Sequence, residues 1–236
     1  MTALFRPNQE GRVFIMANLI TLFRFVLLFP LIVMAYHAPP HWQLLNAPLL
    51  ILIVALDGVD GWVARRRNET SVFGSIFDVA IDRAVENVLW VVLADLDLVP
   101  IWVALTFIIR GTVVDSIRYA AISRGETAFG MMRSTWGRFI VASRFMRGFY
   151  GVLKAVTFGA IFLVQPWPLL FPELWQQWGP IAGLLINLLV YASVALCLIR
   201  GAPVIVECLV ETKVIRLKPL SAAASNEAKS MFRQAS

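Results

Sequence analysis

Along the chain, long apolar runs alternate with short polar interruptions. Six runs stand out, near residues 14–36, 46–65, 75–94, 99–121, 142–165 and 179–199. Each holds roughly the 20 helical residues that cross about 30 Å of hydrocarbon. In lipid, backbone groups are satisfied only in helices or closed barrels, and these runs are too long for barrel strands. The pattern predicts an all-α, polytopic membrane protein with six transmembrane helices. Residues 1–13 read as a surface segment leading into the first span. Residues 201–218 mix Val, Ile and Leu with Glu207, Glu211, Lys213 and Arg216, the make-up of an interfacial helix. The expected organisation is one integral-membrane domain over 1–218, followed by a disordered Ala- and Ser-rich tail over 219–236. The first run is too long for a cleaved secretory signal, and Arg24 interrupts it.

Composition agrees with this pattern. Of 236 residues, 59% are hydrophobic and 15% charged, too apolar for an ordinary soluble domain of this length. The distribution of charge adds an orientation. Segments His37–Gln43, Asp95–Leu98 and Pro166–Trp178 hold none of the 21 Lys and Arg residues. The opposite ends carry Arg6, Arg12, Arg65, Arg66, Arg67, Arg124, Arg133, Arg138, Lys213, Arg216 and Lys218. The positive-inside rule therefore predicts both termini, with their interfacial segments, on the cytoplasmic side. Trp42, Trp167, Trp175 and Trp178 suit the aromatic belt of the other interface. The net charge of +6 belongs to one membrane face, and no soluble basic domain is present to bind nucleic acid. Cys197 and Cys208 match no zinc spacing.

Four carboxylates break the apolar pattern. Asp57 and Asp60 lie three apart, and Asp78 and Asp82 four apart, so each pair shares one helix face. Unpaired carboxylates are costly in such surroundings and call for cations or protons. If Arg65 to Gly74 brackets a turn between antiparallel helices, Asp57 and Asp82 both sit about 12 Å from the helix ends at roughly 1.5 Å per residue. Asp60 and Asp78 then meet nearer the surface. Two tiers of facing carboxylates suit one or two hard divalent cations, Mg²⁺ or Mn²⁺. Gly61, Ala64 and Gly74 leave room for a ligand between the helices, and metals at a cytoplasmic opening favour a diphosphate. Pairing with Arg65, Arg83 or Arg110 would also compensate the acids, but it explains neither the glycines nor the doubled spacing.

The spacing Asp57-x2-Asp60-Gly61-x2-Ala64-Arg65-x8-Gly74-x3-Asp78-x3-Asp82 resembles the signature of the CDP-alcohol phosphotransferase family, with every fixed position filled. The resemblance implies that Asp57, Asp60 and Asp78 are metal ligands. Asp82 would stand near two metal ions and act as the general base. Gly61, Ala64, Arg65 and Gly74 would line the nucleotide pocket for CDP-diacylglycerol, and the protein would be a homodimer among membrane lipids. A second, looser likeness, Asn18-x2-Thr21-x2-Arg24, resembles the Pro-Asn-x2-Thr-x2-Arg entry of many members, with Ala17 in place of the proline. It adds Asn18 and Thr21 to the nucleotide site. A polar helix start and a snorkelling Arg24 account for the same residues.

The acceptor is read from the fourth and fifth spans. Arg110 lies inside an apolar run, Arg118 eight residues on, and Arg144, Arg147 and Lys154 follow at helical spacings. Five cations near one cavity favour a small acceptor carrying its own phosphate, glycerol 3-phosphate first and inositol phosphate second. Arg110-x7-Arg118 resembles the pattern of family members that use glycerol 3-phosphate, with Gly111 where they have Glu. Arg118 has Asp115 as an alternative partner at i−3. Glu86, one turn beyond Asp82, is read as orienting Asp82 or an arginine, or as a buried protonated acid. The competing functions are another member of the family, such as a phosphatidylserine synthase, a membrane prenyltransferase, and an ion-coupled transporter. A transporter would spread its charges through the depth of the bilayer, whereas these gather toward one face.

Overall fold

The computed structural model describes the backbone of residues 7–66, 72–123 and 143–217, and within them the side chains of residues 19–59, 74, 76–121, 143 and 145–209. Every regular element among the described residues is helical. In chain order they are α1 (Pro7–His37), α2 (Pro40–Gln43), α3 (Asn46–Arg66), α4 (Val72–Asp95), α5 (Ile101–Ser123), α6 (Arg144–Val164), α7 (Trp167–Leu170) and α8 (Pro172–Leu217). They fall into two compact units, Met1–Gly111 with Arg144–Leu198, and Thr112–Ser143 with Ile199–Ser236.

Each long helix buries one stripe at alternating three- and four-residue steps, the spacing that keeps side chains on one face. On α1 the stripe is Thr21, Arg24, Leu28, Leu31 and Ala35. The outward face carries Leu22, Phe23, Val26, Phe29 and Val33, each between 46 and 58% exposed. On a soluble protein that much contiguous apolar surface would mark a sticky patch, whereas against hydrocarbon it is matched to its solvent. Within the first unit α1 packs on α3 and α4, and α3 also on α6, while short α2 lies beside α7. The core centres on Trp90 of α4, fully buried, stacked on Phe107 of α5 at 4.4 Å and set against Phe158 of α6 at 4.6 Å. Thr157 and Ser193 share a buried hydroxyl hydrogen bond of 3.0 Å that ties α6 to α8. At the far end of α4, Asp97 takes a left-handed φ of 55°. The bonds Leu98 N–H to Leu93 O and Asp97 N–H to Ala94 O close the helix there in a Schellman motif. In the second unit, Val114, Ala121 and Val204 form a small cluster with Ile117, Ile205 and Cys208.

Among the described residues, four segments are long and apolar enough to cross a membrane: Leu19–His37, Pro40–Val59, Phe145–Leu170 and Pro172–Leu209. The protein is accordingly an all-helical integral membrane protein. Helices α4 and α5, of 24 and 23 residues, have the length of spans. Their interiors carry Asp78, Asp82, Arg83 and Glu86, and Arg110, Asp115 and Arg118, which lower their apolarity. The C-terminal organisation differs from the expected span over 179–199 plus separate interfacial helix. Instead α8 is one continuous helix of 46 residues that starts at Pro172 and runs through Gly201 and Pro203. A proline removes one intrahelical bond, and burial of Val204 offsets that loss by packing on Val114 and Ala121. The expected tail over 219–236 lies outside the described residues.

Because Trp90 joins three helices, Trp90→Ala should lower unfolding stability by about 3–5 kcal/mol, the usual cost of emptying an aromatic site. Leu188→Ala, on an exposed position of α8, should stay within about 0.5 kcal/mol. Thermal unfolding in detergent, followed by circular dichroism, compares the two.

Candidate active site

The acidic residues continue the packing stripes of their helices. On α3 the buried face runs Leu50, Ile53 and then Asp57 at i+4. On α4 it runs Asp78, Asp82, Glu86, Leu89 and Leu93. The same face that packs in one half of each helix thus points carboxylates inward in the other half.

Those carboxylates meet at an arginine from α1. Arg24 is 2% exposed, and its two terminal nitrogens divide between the helices. Nη1 donates to Asp57 Oδ1 and Nη2 to Asp82 Oδ1, while Asp78 Oδ1 lies 3.7 Å from Nη2. A planar guanidinium suits such a fork, since its donors point in fixed and separate directions. The carboxylates themselves are 42–47% exposed, so the cation is sealed while the acids stay open on their other side. Snorkelling, the alternative offered by the sequence for Arg24, does not occur. A snorkelling side chain reaches for water, and this one is held inside by three acids. Among the described side chains Arg24 pairs with all three acids, an ion pairing the sequence had looked for in Arg65, Arg83 or Arg110. The readable signal was its position on one face with Asn18 and Thr21.

One oxygen from each of Asp57, Asp78 and Asp82 lies within 4.8 Å of the other two. Oxygen ligands of one Mg²⁺ at about 2.1 Å stand at most about 4.2 Å apart, so small side-chain movements convert this trio into a binding set. Three hard carboxylates fit a divalent cation of that class. Thr21 is buried one turn from Arg24, and Gly74 is half-buried at the start of the α4 face. The side chains of Asn18, Asp60, Gly61, Ala64, Arg65 and Arg144 lie outside those described.

A second polar group lies one turn along α4. Glu86 accepts from Lys154 Nζ of α6 at 2.7 Å and from Arg83 Nη1 at 3.4 Å. Lys154 also stands 4.5 Å above the ring of Tyr150. Arg110 is buried, and its Nε has no hydrogen-bond partner among the described residues. Arg110, Glu86 and Lys154 are all within electrostatic reach of the Cys197 thiol, which places them around one region of the first unit. The other two described cations stand differently. Arg147 is exposed, and Arg118, in the second unit, pairs with Asp115 at 3.8 Å, the alternative its spacing offered.

Comparison with known proteins places the chain in a family. The sequence profile of the CDP-alcohol phosphatidyltransferase family matches residues 14–199. The chain belongs to that family. Members are phosphatidyltransferases, so this CDP-alcohol phosphatidyltransferase is a membrane-bound transferase of phospholipid synthesis. It is 29% identical over 146 residues to the CDP-diacylglycerol–glycerol-3-phosphate 3-phosphatidyltransferase of Bacillus subtilis, covering 55% of this chain and 75% of the relative. Proteins of the same name from Pseudomonas fluorescens and Escherichia coli are each 31% identical, over 123 and 105 residues. Those matches cover 50% and 43% of this chain, and 62% and 57% of the relatives, less than two thirds of their length.

Removing the sealed cation should loosen the junction of α1, α3 and α4. Arg24→Met is expected to cost about 1.5–3 kcal/mol, the scale of a lost charge-assisted hydrogen bond, since the half-exposed carboxylates keep part of their hydration. Arg24→Lys, which keeps the charge but not the fork, should recover part of this. Thermal unfolding measures both, and an unchanged midpoint in Arg24→Met would mean that the three contacts add no net stability.

Proposed function

We propose that the enzyme transfers the phosphatidyl group of CDP-diacylglycerol to the primary hydroxyl of glycerol 3-phosphate and releases CMP. The observation that carries this reading is the meeting of Asp57, Asp78 and Asp82 at one point, within a chain that matches the family over residues 14–199. The names of the three relatives support the acceptor, as do Lys154 and Arg83 paired with Glu86 and the buried Arg110.

Asp57, Asp60 and Asp78, with Asp82, would hold two Mg²⁺ or Mn²⁺ ions, which supply charge neutralisation to the diphosphate and its departing CMP. Gly61, Ala64, Arg65 and Gly74 line the nucleotide pocket, and Asn18 and Thr21 border it. Asp82 takes the proton from the acceptor hydroxyl. That oxygen bonds to the lipid-side phosphorus, and the bond from this phosphorus to the oxygen of CMP breaks, its electron pair leaving with CMP. Arg110 and Lys154 hold the phosphate of the acceptor. Substrate geometry favours this layout, because acyl chains remain in hydrocarbon while cytidine reaches water. All six long helices cross the membrane, with both termini and the site toward the cytoplasm, and the assembly is a homodimer.

The decisive experiment is CMP release by purified protein from CDP-diacylglycerol over a panel of glycerol 3-phosphate, inositol phosphate, inositol and serine. Turnover is expected with glycerol 3-phosphate, and turnover with serine alone would reject the phosphorylated acceptor. EDTA should abolish the reaction and Mg²⁺ or Mn²⁺ restore it. Asp82→Asn should lower kcat by about 10²–10⁴, the span of general-base catalysis.

Orientation is checked separately by labelling with an impermeant thiol reagent. Cysteines placed at Gln43 and Gln176 should react from outside intact cells, and one at Asn68 only after the cytoplasmic face is opened. Outside labelling at Asn68 would invert the arrangement.

A further inference from the structure

We propose that Glu86 is a positioning residue for the acceptor, acting through Lys154. The inference rests on the reading of Lys154 as a ligand of the acceptor phosphate. Lys154 reaches Glu86 from another helix, at 2.7 Å, and both side chains are nearly sealed, at 16% and 12% exposure. A lysine ammonium on a four-carbon stem has many rotamers, and holding one of them requires a partner fixed by its own surroundings. Here there are two such partners, the carboxylate and the face of Tyr150, 4.5 Å from Nζ. Tyr150 lies one turn before Lys154 on α6, so ring and ammonium share a helix face.

The carboxylate is also fixed. Arg83, three residues back on α4, stands 3.4 Å from the same Oε2 that receives Lys154. Glu86 in turn lies four residues from Asp82, on the same face of one rigid helix. The pair thus holds the ammonium to the element that carries the proposed base, one turn of about 5.4 Å along it. An acceptor binding there would turn its phosphate to the one and its reacting hydroxyl to the other. An ammonium has three donors, and a single carboxylate oxygen engages one of them, which leaves donors for a phosphate. The charge at the place suits an anion, since Lys154 and Arg83 both stand at Glu86.

A plain clip between α4 and α6 would use the same contacts, and kinetics separates the two. With full-length protein and CDP-diacylglycerol in detergent, Glu86→Gln should raise the KM for glycerol 3-phosphate about tenfold, the scale of one charge-assisted hydrogen bond. The KM for CDP-diacylglycerol should change less than about twofold, and Glu86→Asp should recover part of the acceptor effect. Lys154→Met should raise the acceptor KM by a similar factor, and Glu86→Gln added to it should do nothing further, because both act through one contact. Additive effects, or an effect of Glu86→Gln without one of Lys154→Met, would overturn the proposal and leave the reaction itself intact. Equal losses for both substrates with a lowered unfolding midpoint, in Glu86→Asp as well, would make the pair a clip and also overturn it. Failure of the unaltered protein to turn over glycerol 3-phosphate would instead strike the proposed function on which the inference rests.

Discussion

A sealed guanidinium between three carboxylates is the contact on which this architecture turns. Taking Arg24 out of water is costly, and no single half-exposed acid would repay it. Asp57, Asp78 and Asp82 do so together because they come from two helices that α1 holds on either side of the same fork. The requirement runs both ways. Three acids drawn to within 4.8 Å of one another repel unless a cation stands between them. Each side thus makes the other tolerable, and α1, α3 and α4 are pinned at the level of the acids.

Continuity between packing and chemistry follows from helix geometry. A helix presents one face to its neighbours, and Asp78, Asp82 and Glu86 occupy the same face of α4 as Leu89 and Leu93. Apolar packing around Trp90 fixes that face in azimuth, which turns the acids one to three turns away toward the same side. The same logic applies to α6, where Tyr150 and Lys154 continue toward Thr157 and Ile161. Outside the bundle the rule reverses, and exposed Leu, Val and Phe face the hydrocarbon.

The proposed function draws on two neighbouring charge groups of opposite balance. Around Arg24 the acids outnumber the cation, which suits divalent ions and a diphosphate. Around Glu86 the cations outnumber the acid, which suits an anion brought to the first group. Both lie on α4, one helical turn apart, so in the proposed transfer donor and acceptor phosphates would have distinct places on one rigid element.

The acidic faces, the helical class and the membrane setting were legible in the chain, because periodicity and hydropathy are local properties. Spacing alone put Asp57 with Asp60, and Asp78 with Asp82, on shared helix faces, and it put Asn18, Thr21 and Arg24 on one side of α1. What spacing does not carry is the partner across the gap. Arg24 read equally well as a snorkelling residue, and only packing of α1 against both acidic helices made it the shared counter-ion. Glu86 and Lys154 are 68 residues apart in sequence, and no periodicity links positions on different helices. The continuous α8 was hidden for a related reason. Gly201 and Pro203 signal a break to a local reading, and the burial of Val204 against α5 overrides it. Sequence determined which face each residue occupies; tertiary structure decided which face it meets, because burial and charge compensation are settled between helices.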